Sequence, residues 1–284
     1  MSAAYQRLGS QRKMFADWSD RIAAGAYPEQ PPPRPSGRER NVVITLWDWA
    51  WPEANRSDAQ GTYDWNPRVN ADGLVYGAHG NGNVLVWVNP KENKVGEIKT
   101  EANGLRSVAV DDQSRVWVTA ALPQGTSAPN FCKPGSTNKF SKYFQLSGRG
   151  KQLVRYDPKS QQVLKIPTCM PVDHNFFGKE ADKPLYFGQT GYIGWVSTAT
   201  YDKTRDVEAS QGWCPTVLDT NGDGRITEWT EPNSPVDPTM DHRISAGCYS
   251  IAVSPVDGSL WCSGIGENDR TLVRIERGTN PPRN

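Results

Sequence analysis

Asp219-Thr220-Asn221-Gly222-Asp223-Gly224-Arg225-Ile226-Thr227 sets three oxygen-bearing side chains at alternate positions ahead of a glycine. That is the front of a D-x-N-x-D-G-x-I calcium loop. The chemistry explains the spacing. Calcium takes six to eight hard oxygens in a flexible shell. Asp219, Asn221 and Asp223 would each turn one inward, Gly224 would allow the sharp turn, and Arg225 would add its carbonyl, with Ile226 as the apolar anchor. A calcium loop of this kind closes with a bidentate Glu at its twelfth position. That position is Thr230 here. Glu228 and Glu231 flank it and are the candidate closing ligands, with Asp237 and Asp241 following soon after. The alternative is a plain double turn built on Asn-Gly and Asp-Gly. The expected ion is a calcium that staples the fold. Magnesium is the poorer fit, because it demands tight octahedral geometry and keeps its waters.

Histidine is scarce: His79, His174 and His242. His174, in Asp173-His174-Asn175-Phe176, stands at the head of a predicted strand and is the candidate general base. The plainer reading is that each histidine bonds a backbone carbonyl. No G-x-S-x-G elbow, phosphate-binding loop or dinucleotide fingerprint occurs, so serine-hydrolase and nucleotide chemistry have no support.

These residues must be carried by a scaffold, and the chain repeats one. Ser107-Val108-Ala109-Val110 is followed by Val116-Trp117-Val118-Thr119 and later by Leu153-Val154-Arg155-Tyr156-Asp157. The same three phrases return as Ser250-Ile251-Ala252-Val253, Leu260-Trp261-Cys262-Ser263 and Leu272-Val273-Arg274-Ile275-Glu276. Two looser copies run from Val69 through Tyr76 to Asn89, and from His174 through Leu185-Tyr186-Phe187 to Val196. Strand, tight turn, strand with an aromatic, strand: this is the pattern of a β-propeller blade. The expected fold class is therefore all-β, a propeller of four-stranded blades. Four or five blades are visible, and the alternatives are a closed small ring or part of a larger one.

The markers Tyr76, Trp117, Tyr186 and Trp261 lie 41, 69 and 75 residues apart. One blade takes roughly 40–45 residues. The two longer intervals therefore hold insertions, at about 121–150 and 200–246, and insertions on repeat scaffolds often form the binding face. Ahead of the predicted propeller (41–284) stands a segment over 1–40. Met14, Phe15, Trp18, Ile22 and Ala26 share one face of a predicted helix there, and Pro31-Pro32-Pro33-Arg34-Pro35 forms a strap or linker. Val42–Trp47 reads as a strand followed by a cluster of Trp47, Trp49 and Trp51, suited to packing or to stacking a sugar.

The 284 residues are 36% hydrophobic with net charge +1, which argues against a nucleic-acid or anionic-membrane partner. No apolar run is long enough for a membrane span and no signal peptide is visible. Among Cys132, Cys169, Cys214, Cys248 and Cys262 there is no C-x-x-C pair, so zinc-ribbon and c-type haem motifs are absent. Cys132 and Cys169 are a candidate disulfide, with free thiols the alternative. Cys248 and Cys262 flank a predicted hairpin.

The phrases Val108-Ala109-Val110 to Trp117-Val118-Thr119, and Ile251-Ala252-Val253 to Trp261-Cys262-Ser263, resemble the blades of streptogramin (virginiamycin B) lyase-like propellers. Glu39–Trp49, Asn66–Gly73, Val217–Gly222 and Pro235–Thr239 are closer to exported bacterial carboxypeptidase regulatory-like domain-containing proteins. That resemblance implies a propeller, an extracytoplasmic (periplasmic or secreted) setting, and longer relatives with a haem-attachment segment upstream. Two functions are then in play. One is a calcium-stabilised module that binds a small molecule, glycan or protein. The other is a metal-assisted lyase or lactonase-type enzyme with His174 as base.

Overall fold

The repeated phrases are strands. The computed structural model describes residues 59–61, 73–79, 83–89, 92, 94–146, 150–189, 191–254, 256–264 and 271–276. The helix and strap expected over 1–40, the strand Val42–Trp47 and the Trp47, Trp49 and Trp51 cluster lie outside those residues.

The protein is all-β with few helices. Three four-stranded antiparallel sheets follow one another, each with its strands in chain order. The first holds β1 (Ala59–Gly61), β2 (Val75–His79), β3 (Val84–Asn89) and β4 (Lys94–Lys99). The second holds β5 (Val108–Val110), β6 (Val116–Ala121), β7 (Lys151–Asp157) and β8 (Gln162–Pro167). The third holds β9 (Asn175–Phe177), β10 (Pro184–Gln189), β11 (Tyr192–Ser197) and β12 (Gln211–Pro215). A small fourth sheet, β13 (Val217–Leu218), β14 (Trp229–Thr230) and β15 (Asp241–Arg243), has β15 in the middle. A fifth, of β16 (Ser250–Val253), β17 (Leu260–Ser263) and β18 (Leu272–Ile275), ends the described chain. The five sheets are separate and none closes on itself among the described residues.

The repeat extends to the register. Trp117 stands opposite Ala109 on one side and Arg155 on the other. Trp261 stands opposite Ala252 and Arg274 in the same way. Valine-rich central strands explain the stacking. β6 and β10 are buried almost throughout, as strands covered on both faces must be, whereas β4 at its sheet's edge alternates between exposed and half-buried. Early strands of neighbouring sheets lie against each other, β2 on β5, β5 on β9 and β9 on β16. Gly194 shows how tight the packing is: a Cβ there would fall 1.9 Å from the Met170 sulfur.

A buried ionic cluster ties the second sheet to α2 (Thr198–Thr204), the helix that links β11 to β12. The Asp111 carboxylate accepts from the Arg115 backbone N–H and Nε and from the Trp117 indole N–H, at 2.9, 2.6 and 2.9 Å. Arg115 and Arg155 both reach Asp202 on α2, and both guanidinium groups lie over the Trp117 ring.

Two disulfides are present. Cys132–Cys169 is the expected pair, and Cys248–Cys262, which spacing alone did not pair, is the second. They close loops of 37 and 14 residues. In the chain-entropy picture such loops contribute about 3–4 kcal/mol each. Bridges of this kind belong to an oxidising compartment. Cys214 remains a free, buried thiol. No helix among the described residues is long and apolar enough to cross a membrane.

Candidate functional site

The first inserted segment leaves β6 and carries a one-turn 3-10 helix (Asn130–Cys132) and α1 (Lys139–Tyr143). Asn138 caps α1, its side-chain oxygen accepting from the Phe140 and Ser141 N–H groups. Phe140 then packs on Trp195 and Trp213 of the third sheet, 5.3 and 5.5 Å between ring centres. The Trp213 indole N–H donates to the Phe144 carbonyl. In the second segment, β12 lies inside residues 200–246 and completes the third sheet, and the fourth sheet follows it.

Loop 219–228 joins β13 to β14, the two outer strands of the fourth sheet, and so crosses the head of β15 between them. Inside the loop each candidate ligand is folded inward onto backbone. Asp219 accepts from the Gly222 and Gly224 N–H groups at 2.7 and 2.9 Å. Asn221 accepts from Asp223 N–H at 3.0 Å, and Asp223 from Arg225 N–H at 2.7 Å. Gly222 and Gly224 both take the left-handed conformation, at φ +75° and +74°, where side chains are strained.

The other candidates are placed as follows. Glu228 accepts the Asp241 N–H on its backbone carbonyl. The Glu231 carboxylate is held by the Arg243 guanidinium and by the Trp229 indole N–H, and the Arg243 contact keeps Glu231 below the usual carboxylate range. The residue that faces the loop is Asp241. Leu218 pairs with His242, so the next step of the antiparallel register sets Asp219 opposite Asp241. On its other side Asp241 pairs with Trp229.

Asp241 is fully shielded from solvent, and neither carboxylate oxygen has a hydrogen-bond partner. Burial raises its pKa, and the nearby carboxylates of Asp219 and Asp223 raise it further; the backbone amides of Thr227 and Thr220 oppose them weakly without reaching bonding geometry. Among the described residues no group of three or more His, Cys, Asp or Glu is gathered as a metal cluster.

Tyr143 connects the two insertions at this point. Its hydroxyl donates to the Ile226 carbonyl at 3.2 Å and its ring meets Trp229 edge-on at 5.3 Å. Burial, with Cys214 and Asp241 nearby, pushes the Tyr143 hydroxyl up to about 12.

His174 lies elsewhere, at the head of β9. Tyr249, from the approach to the fifth sheet, meets it edge-on at 4.7 Å. Burial lowers its pKa, Asp173 opposes and Arg106 assists, so the imidazole is neutral near pH 7. The adjacent Asp173 accepts from Lys151 and Gln189 at 2.6 and 2.8 Å and pairs with Arg106 at 3.4 Å. Its oxygens are thus committed to packing this corner. His242 sits in β15 with Nδ1 2.7 Å from the Thr230 hydroxyl. A separate cleft of about 720 Å³ is walled by α1, the third sheet and the end of β18, with Asn138, Phe140, Trp195, Glu208 and Glu276 in its lining.

No family model matches the chain, and no curated protein matches it. A solved structure, the major Malassezia sympodialis allergen Mala s 1, is similar at TM-score 0.42 and 12% identity. The match covers 76% of this chain and 59% of that chain. So distant a likeness carries no argument about function. These findings overturn the resemblance to streptogramin lyase-like propellers and to exported carboxypeptidase regulatory-like proteins. No family model and no curated protein of either group matches, and the sheets stand separate among the described residues. The likeness in the blade phrases rests on short strands rich in β-branched residues with one aromatic, a composition common to antiparallel sheets.

Proposed function

We propose that this chain is an extracytoplasmic β-propeller stapled by one calcium ion and acting as a ligand- or partner-binding module. The observation that carries the reading is loop 219–225, in which three ligand-type side chains are each turned in by backbone N–H groups around two left-handed glycines. Oxygen donors held in this order along a tight loop suit a hard cation. The propeller part rests on consecutive antiparallel meanders whose early strands lie side by side from sheet to sheet. The extracytoplasmic setting rests on the two disulfides. The binding surface falls to the inserted segments and the cleft that α1 walls. The enzyme reading gains no comparable support, since what meets His174 from another sheet is the Tyr249 ring.

Calorimetric titration tests the ion. Calcium is expected to bind one site per chain, in preference to magnesium, and Asp223→Ala is expected to abolish the heat. Absence of saturable calcium binding by the wild-type chain would remove the reading.

A further inference from the structure

The calcium loop of the sequence lacks its closing carboxylate, and the fold buries a carboxylate that lacks a partner. Asp241 is 0% exposed, with both oxygens unbonded, at the spot where loop 219–228 passes over β15. Its register neighbours place it beside Asp219 on one flank and Trp229 on the other. A carboxylate taken from water with no donor in bonding geometry and with two other carboxylates close by is an unfavourable arrangement for a fold to hold. A divalent cation between them resolves it, because each oxygen then has an opposite charge to face.

We propose that Asp241 is the closing ligand of the cation held by Asp219, Asn221, Asp223 and the Arg225 carbonyl. The proposal rests on the calcium reading above and adds to it a ligand from a different strand. Two oxygens from Asp241 and one from each loop donor bring the set to about six, the lower end of what calcium accepts. Glu231 is unsuited to that role because Arg243 and Trp229 already hold it. The ion then fastens the loop to the central strand of the fourth sheet. Through the Tyr143 bond to Ile226 and its contact with Trp229, it also steadies the first insertion, the wall of the cleft.

The test uses the full chain, with Asp241→Asn, Asp223→Asn and Glu231→Gln. Each is titrated with calcium and melted both in calcium and in chelator. Asp241→Asn is expected to weaken calcium binding about tenfold or more. It should melt below wild type in calcium, yet at or above wild type in chelator, because the substitution removes a buried charge that nothing balances. Glu231→Gln should bind calcium as wild type does. If Asp223→Asn loses binding while Asp241→Asn keeps it within about twofold, the calcium reading stands and the assignment of Asp241 falls. If Asp241→Asn melts far below wild type in both conditions, or does not fold in chelator, the residue serves packing and the assignment falls. If the wild-type chain binds no calcium, both fall.

Discussion

Asp111→Ala is expected to destabilise the protein by about 3–5 kcal/mol, the range for breaking a buried ion pair by removing one partner. Asp111 is 4% exposed and its carboxylate serves four donors at once: the Gln113 and Arg115 backbone N–H groups, the Arg115 guanidinium and the Trp117 indole. Alanine leaves Arg115, itself only 7% exposed, with one carboxylate, Asp202, instead of two. It also frees the indole N–H of a wholly buried tryptophan. The hairpin between β5 and β6 loses the acceptor that fixes its turn, since Gln113 N–H also bonds Asp111. For a chain of this size the loss corresponds to a Tm decrease of roughly 5–10 °C. Asp111→Asn should cost less, because the amide oxygen can still accept. A shift for Asp111→Ala within about 0.5 kcal/mol would mean that the cluster does not hold the second sheet to α2.

Trp213→Ala is the second large effect, also about 3–5 kcal/mol for emptying a tryptophan-sized site. Its consequence is local as well as global. Trp213 is 0% exposed, stacks with Phe140 and donates to the Phe144 carbonyl, so it holds the first insertion from both ends of α1. Removing it should expose α1 to trypsin at Lys139 and Lys142, with cleavage in native buffer accelerated well beyond the general loss of stability. Trp213→Phe keeps most of the ring and loses only the indole bond, at a cost of about 1 kcal/mol. Were Trp213→Ala to leave α1 as protected as in wild type, the insertion would be anchored by its other ties, Phe140 on Trp195, Tyr143 on Ile226 and Trp229, and the Cys132–Cys169 bridge.

The strands that the sequence displayed are those with a hydrophobic reason to repeat. The Ala109–Trp117–Arg155 and Ala252–Trp261–Arg274 rungs recur in register, although Trp117 is wholly buried and Trp261 is exposed. The outer strands were not visible in the same way. β4 and β8 are half-exposed and free to vary, and β12 lies inside a segment whose loop-like composition hid it. The fourth sheet is built from strands of two and three residues, too short for any periodicity to register. At the proposed site, the loop donors were legible because their order along the chain is the one a calcium loop requires. Asp241 was visible only as one acid among several after the loop, since its place beside Asp219 is fixed by register and not by spacing. The Cys248–Cys262 pairing was hidden for the same reason: Cys262 comes from the middle of β17, and only the pairing of β16 with β17 brings Cys248 alongside it.

The most direct measurement is the calcium content of the purified chain, taken together with thermal unfolding before and after exhaustive chelation. The account predicts about one calcium per chain and a Tm that falls on its removal. At free calcium near 1,000 times Kd the ion contributes about 4 kcal/mol, or roughly 7 °C for a chain of this size, and calcium but not magnesium should restore it. A chain that carries no calcium and melts identically with and without chelator would contradict the account.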